Sequence, residues 1–168
     1  LRGHIRRPDL RNHRKILVID GREAYVGSHN LVAPDYDTPS YAKAGMLYDD
    51  TSVSVTGPIV AQVQAVFAVD WYYACKEILT PDVLTPPAAQ LAAENEDTQI
   101  SAMQIIPSGP AFTGEPNLRA FIHMISSART HVSITSPYFI PDEALMTALT
   151  NAALSGVEVE LFVSEQFD

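Results

Sequence analysis

Cysteine is almost missing from these 168 residues: Cys75 stands alone, so no internal disulfide framework can brace the fold. A single such residue, late in a candidate helix, reads as a small buried apolar side chain. Long apolar runs are missing too. No window approaches 18 uninterrupted apolar residues, which excludes a membrane span within the sequence. The opening residues, Leu1-Arg2-Gly3-His4-Ile5-Arg6-Arg7, carry positive charge with no apolar stretch behind it, and so do not read as a signal peptide. Positive charge is scarce overall. Eleven Lys and Arg face 20 Asp and Glu, for a net charge of −9, which argues against a protein that coats nucleic acid.

What basic charge there is lies at one end. Residues 1–33 hold seven Lys or Arg (Arg2, Arg6, Arg7, Arg11, Arg14, Lys15 and Arg22) against Asp9, Asp20 and Glu23. The other 135 residues hold four bases against 17 acids. The split suggests a local anionic ligand near the first residues, with a solvated charged edge as the plainer alternative.

The pattern alternates strands and helices. Residues 14–19 read as a strand rich in β-branched side chains, Asp20-Gly21-Arg22 as a turn, and Glu23 to Gly27 as a second strand. Pro34 to Ser40 has loop chemistry, and Thr51 to Thr56 reads as a third strand. Gly57-Pro58 opens a helix of about 20 residues, with Val60, Val63, Phe67 and Trp71 on one stripe and Trp71 and Tyr72 at the core or its edge. Residues 79–97 are rich in Pro, Ala and acids and read as a linker. Beyond it, Gln99 to Ile106 is expected as a strand, Pro116 to Arg129 as a helix, His131 to Ser136 as a strand, Pro141 to Leu154 as a helix and Val157 to Val163 as a strand. Such strand–helix–strand repetition implies a parallel sheet with helices outside it. The first residue is not methionine and the last lies just past a strand, so the sequence reads as a segment from the middle of a longer polypeptide.

The chemistry concentrates in Asn12 to Asn30, NHRKILVIDGREAYVGSHN. With a two-residue hairpin loop at Gly21-Arg22, Asp20 faces Glu23, Lys15 faces Ser28 and His13 faces Asn30. Residues two apart on a strand share a face, as do opposed residues. His13, Lys15, Ser28 and Asn30 would then form one polar cluster at the open end of the hairpin. Leu17, Ile19, Ala24 and Val26 follow on that face and Ile16, Val18 and Tyr25 on the other, as for central strands covered by helices on both sides. These residue types suit phosphoryl transfer. A neutral imidazole can attack phosphorus and form a covalent intermediate, a lysine can hold the nonbridging oxygens, and serine and asparagine add neutral donors. No metal is needed for that set, and Asp20, at the far end of the strand, is placed to tie down the turn or pair with a neighbouring cation. His4, His29, His123 and His131 have no comparable constellation and read as surface or structural.

The spacing H-x-K-x4-D-x6-G-S-x-N, carried by His13, Lys15, Asp20, Gly27, Ser28 and Asn30, resembles the motif of the phospholipase D superfamily. With RNHRKILVIDG, GSHNL, VTGPIVAQVQAVFAVDWYYA, IPSGP and ITSPYFIPDEALMTALTNAALSGVEVELFVSE, nearly the whole chain resembles bacterial cardiolipin synthases of that type. The resemblance implies an α/β fold, an αβα sandwich with a mixed central sheet and helices on both faces. Residues 1–78 would be the latter part of a first phospholipase D-like domain, and residues 98–168 the opening of a second whose own motif is not among these residues. It implies transfer of a phosphatidyl group between two phosphatidylglycerol molecules through a phosphohistidine, without cofactor or metal. His13, Lys15 and Asp20 would be the catalytic residues, with Ser28 and Asn30 binding substrate, and the nucleophilic and acid–base roles of the two domains' histidines left open. The implied partners are phosphatidylglycerol and other anionic phospholipids, the second phospholipase D domain and a membrane surface, that of the bacterial cytoplasmic membrane. Tyr48, before Asp49-Asp50, departs from the tryptophan expected there. Two readings compete: a phosphodiesterase or nuclease that uses water, and a non-catalytic segment that binds lipid phosphate.

Overall fold

A computed structural model describes residues 12–33, 38–45, 47–80, 101–109 and 112–164. The chain divides into two compact units, Leu1–Ile105 and Ile106–Asp168. The expected linker lies almost wholly outside the described residues.

The first unit holds strands β1 (Lys15–Ile19) and β2 (Glu23–Gly27), helix α1 (Pro39–Ala44), strand β3 (Ser52–Thr56) and helix α2 (Ile59–Cys75). The three strands form an antiparallel sheet in the order β1-β2-β3. Val60 and Val63 of α2, each 1% exposed, and fully buried Ala24 make its core, with Ile16, Val18, Val26, Val55 and Ile105 packed around them. Burying a valine of this kind contributes roughly 1.5–3 kcal/mol. A period-two strand and a period-3.6 helix meet here on their apolar sides, as the sequence pattern requires. The helix ends where Lys76 turns left-handed and its N–H reaches the Tyr72 carbonyl at 2.8 Å.

Several expectations are corrected. Helix α1 begins inside the stretch read as a loop. Residues 101–108 are not a strand; the Ile105 N–H donates to the Gln62 side-chain carbonyl at 3.2 Å, so a helix side chain takes the place of a ladder neighbour. Cys75 is the last residue of α2 and exposed, because the stripe that packs on the sheet is spent before that turn. Tyr72 is also exposed, its ring under the Lys76 ammonium at 5.2 Å, whereas half-buried Trp71 donates from its indole to Glu77 at 3.2 Å. Tyr48 packs its ring against Tyr41 of α1 at 6.1 Å.

The second unit holds helix α3 (Pro116–Ser127), strand β4 (His131–Thr135), helix α4 (Glu143–Leu154) and strand β5 (Glu158–Phe162). As expected, the two strands pair in parallel, and both helices fall within the expected ranges. Ile125 of α3, with Ala148, Leu149 and Ala152 of α4, forms a core with Val157, against which Val132, Ile134 and Val159 pack. Helix α4 starts at Asp142, whose carboxylate accepts the Leu145 N–H at 2.8 Å; such a cap is worth about 1 kcal/mol. On the other side of the strands, His131 lies between Glu158 and Glu160, at 3.6 and 3.4 Å. The chain is therefore α/β in class, with helices over one face of each sheet among the described residues. None of the described helices is long and apolar enough to cross a membrane.

Candidate active site

The β1–β2 hairpin turns one residue earlier than the sequence suggested. Asp20 and Gly21 both take positive φ, 53° and 64°, and the Arg22 N–H donates to the Ile19 carbonyl at 3.0 Å. Asp-Gly is thus the central pair of the turn, as suits that dipeptide, and Arg22 is an extra residue before the ladder starts. Ile19 pairs with Glu23 and Lys15 with Gly27, not with Ser28. A shift of one residue moves every side chain of β2 to the other face. Ala24 and Val26 therefore join Ile16 and Val18 beneath α2, while Tyr25 and Gly27 share a face with Lys15, Leu17 and Ile19. Leu17 and Ile19 are 55% and 42% exposed, so α2 covers one face of these strands rather than helices covering both among the described residues.

Lys15, the first residue of β1, lies on the strand face away from α2, and His13 stands two residues before it, outside the strand. His13 is exposed and Lys15 half-buried at the start of β1. Between them, Arg14 turns the other way. Its guanidinium pairs with the Asp70 carboxylate of α2, and its N–H donates to the Asn12 side chain at 2.9 Å.

Ser28 does not face Lys15. Its hydroxyl donates to Asp50 at 2.7 Å and accepts from the Thr51 N–H at 3.0 Å, while its own N–H donates to the Thr51 carbonyl at 2.9 Å. These bonds tie the end of β2 to the residues that lead into β3. Asn30, two residues on, is half-buried and has a polar interaction of its own. Asp20 is left at the turn, roughly 16 Å along β1 from Lys15 at the usual strand rise. The four-residue cluster expected from the sequence is thus divided. Lys15 lies on the face away from α2 with His13 just before the strand, Ser28 is tied to Asp50 and Thr51, and Asn30 has a polar interaction of its own.

Glu23, at the far end of β2, accepts from the hydroxyls of Tyr25 at 2.6 Å and Ser54 at 2.9 Å. Those bonds, Tyr25 first, hold its carboxyl below the usual carboxylate range. This brace fixes the turn end of the hairpin and is remote from His13.

Sequence reading missed Arg14–Asp70 and Ser28–Asp50. The first had a visible signal, because Asp70 falls seven residues after Val63 and three after Phe67, continuing the apolar stripe of α2 with an acid. The second had none, since Asp50 lies in irregular chain.

Residues 121–168 match a family model described as "Cardiolipin synthase, PLD-like domain". Over 162 residues, 95% of this chain, the sequence is 40% identical to cardiolipin synthase A of Pseudomonas aeruginosa strain PAO1 and 42% identical to that of Pseudomonas fluorescens strain SBW25. It is 37% identical over 161 residues to the cardiolipin synthase of Geobacillus kaustophilus strain HTA426. A match over 95% of the chain cannot pass over residues 13–30. Nearly the whole chain is thus similar to cardiolipin synthases, and its last 48 residues to the PLD-like domain of that description. It spans about 30% of the length of these cardiolipin synthases. Their likeness takes in both units, so the hairpin and the β4–α4–β5 unit are parts of one homologous stretch.

Proposed function

We propose that the His13–Lys15 hairpin is half of a phosphatidyltransferase site that makes cardiolipin from two phosphatidylglycerol molecules. The observation that carries the reading is the identity to cardiolipin synthases of two distant bacterial groups over 95% of the chain. A second phospholipase D-like domain, supplying the other histidine, completes the site in this proposal, and the enzyme works at the surface of the bacterial cytoplasmic membrane.

The chemistry takes two displacements. One histidine of the pair attacks the phosphorus of phosphatidylglycerol, forming a P–N bond as the bond to glycerol breaks. The other histidine gives the departing glycerol its proton. That histidine, now neutral, takes the proton from a glycerol hydroxyl of a second phosphatidylglycerol. The freed oxygen attacks phosphorus, breaking the P–N bond and yielding cardiolipin. Lys15 balances charge on the nonbridging oxygens, where the pentacoordinate transition state carries most of it, and Asn30 adds a neutral donor. Ser28 acts by holding the end of β2, and Asp20 by shaping the turn.

The test is product analysis with the full-length protein that carries these residues, in vesicles of labelled phosphatidylglycerol. Cardiolipin with glycerol is the expected outcome. Phosphatidic acid would assign a hydrolase, and no product would leave a segment that only binds lipid phosphate. The 168 residues alone, with one motif and no proton donor for the leaving alcohol, are expected to turn over little or no lipid in the same vesicles. Robust His13-dependent turnover by the purified segment would refute the half-site.

A further inference from the structure

We propose that Asp70 of α2 is a positioning residue for the His13–Lys15 pair, acting through Arg14. The inference rests on the phosphatidyltransferase reading of the hairpin. The last rung of the β1–β2 ladder is Lys15 with Gly27. His13 lies two residues beyond it, where no rung of the ladder holds the chain. A nucleophile or proton donor so placed needs another anchor, because the reacting atoms must be held in a narrow geometry.

Arg14 supplies that anchor. Its guanidinium and the Asp70 carboxylate form an ion pair with side chains 25% and 18% exposed, and the Asn12 side chain fixes the Arg14 N–H. Asp70 lies seven residues after Val63 and four after Val66, both buried, and so extends the stripe that packs on β1. The pair therefore ties the residue between His13 and Lys15 to the core of the unit. The pair holds the backbone that carries His13 on one side and Lys15, the first residue of β1, on the other. A guanidinium suits the task, since its planar fork fixes direction as well as distance.

The experiment measures phosphatidyl transfer by the full-length protein, per folded molecule, with thermal unfolding recorded for each variant. Asp70→Asn is expected to lower kcat about ten- to a hundredfold with little change in KM, the cost of a small misplacement of reacting groups. Asp70→Glu keeps the charge and is expected to recover most of that loss. Arg14→Met combined with Asp70→Asn should lose no more than the worse of the two single variants, because both break one link. If Asp70→Asn does not fold, Arg14→Lys, which keeps the charge without the fork, is expected to fold and still lose kcat. Wild-type kcat per folded molecule in Asp70→Asn or in Arg14→Lys, or losses that simply add, would overturn the proposal and assign the pair to stability alone. Should the wild-type protein make no cardiolipin, the phosphatidyltransferase reading fails instead, whatever the variants do.

Discussion

His13→Ala in the full-length protein is expected to abolish cardiolipin formation, with a loss of at least about a thousandfold, the scale on which removing one member of a catalytic unit acts. The fold should not notice. His13 is exposed and outside the β1–β2 ladder, so its removal opens no cavity and breaks no rung. Transfer measured with labelled phosphatidylglycerol, beside an unfolding curve that superimposes on that of the unaltered protein, checks both halves of the expectation. The same variant can assign the role of His13. A phosphatidyl donor whose leaving group is a nitrophenolate needs no proton to depart. If His13 is the general acid, His13→Ala should still release nitrophenol from that donor in a first burst and then stall as the phosphohistidine. If His13 is the nucleophile, no burst appears with either donor. Near-normal turnover of phosphatidylglycerol by His13→Ala would remove His13 from the chemistry altogether.

Lys15 separates electrostatics from bond making, and the contrast explains how far the site could be read from residues alone. The identity and spacing of His13 and Lys15 are legible in the sequence, whereas the strand starts only at Lys15 and leaves His13 before it. Register is not legible there. It depended on whether Asp20-Gly21 or Gly21-Arg22 held the centre of the turn, a choice between two adjacent dipeptides that both contain glycine. That choice moved Ser28 from the face of Lys15 to a tie with Asp50 and Thr51, and moved Ala24 and Val26 beneath α2. Helix α2 was legible because its start signal, Gly57-Pro58, stands next to a periodic apolar stripe, and α4 because it falls in a strand–helix–strand repetition. Helix α1, six residues starting at a proline within turn-like chain, has too few turns to show a period. The ion pair of Arg14 with Asp70 spans 56 positions: the stripe of α2 marks Asp70 as facing inward, but no local pattern names Arg14 as its partner.

Gly27→Ala is expected to damage fold and function together, through backbone rather than side chains. Gly27 sits between two rungs, Lys15 on one side and Ser52 on the other. A Cβ built there would lie 2.3 Å from the Ser52 hydroxyl, 2.3 Å from the Thr51 carbonyl oxygen and 2.6 Å from the Ser52 Cα. The hydroxyl could rotate away, but the carbonyl and Cα could not without moving β3. That carbonyl also accepts the Ser28 N–H, so relief of the clash breaks the tie at the end of β2. Overpacking of this kind costs about 1–3 kcal/mol, which denaturant unfolding would show as a lower midpoint at an unchanged slope. Gly27 is also the rung opposite Lys15, so strain there disturbs Lys15 and transfer per folded molecule should fall as well, by about tenfold or more on the scale of a misplaced phosphate ligand. Adding Ser52→Gly tests the cause. It removes the hydroxyl and leaves the Thr51 carbonyl in place, so the double variant should regain little stability. Full recovery in the double variant would show that the side chain alone sets the limit at Gly27. A single variant as stable and active as the unaltered protein would show that β2 and β3 lie far enough apart there for glycine to be dispensable.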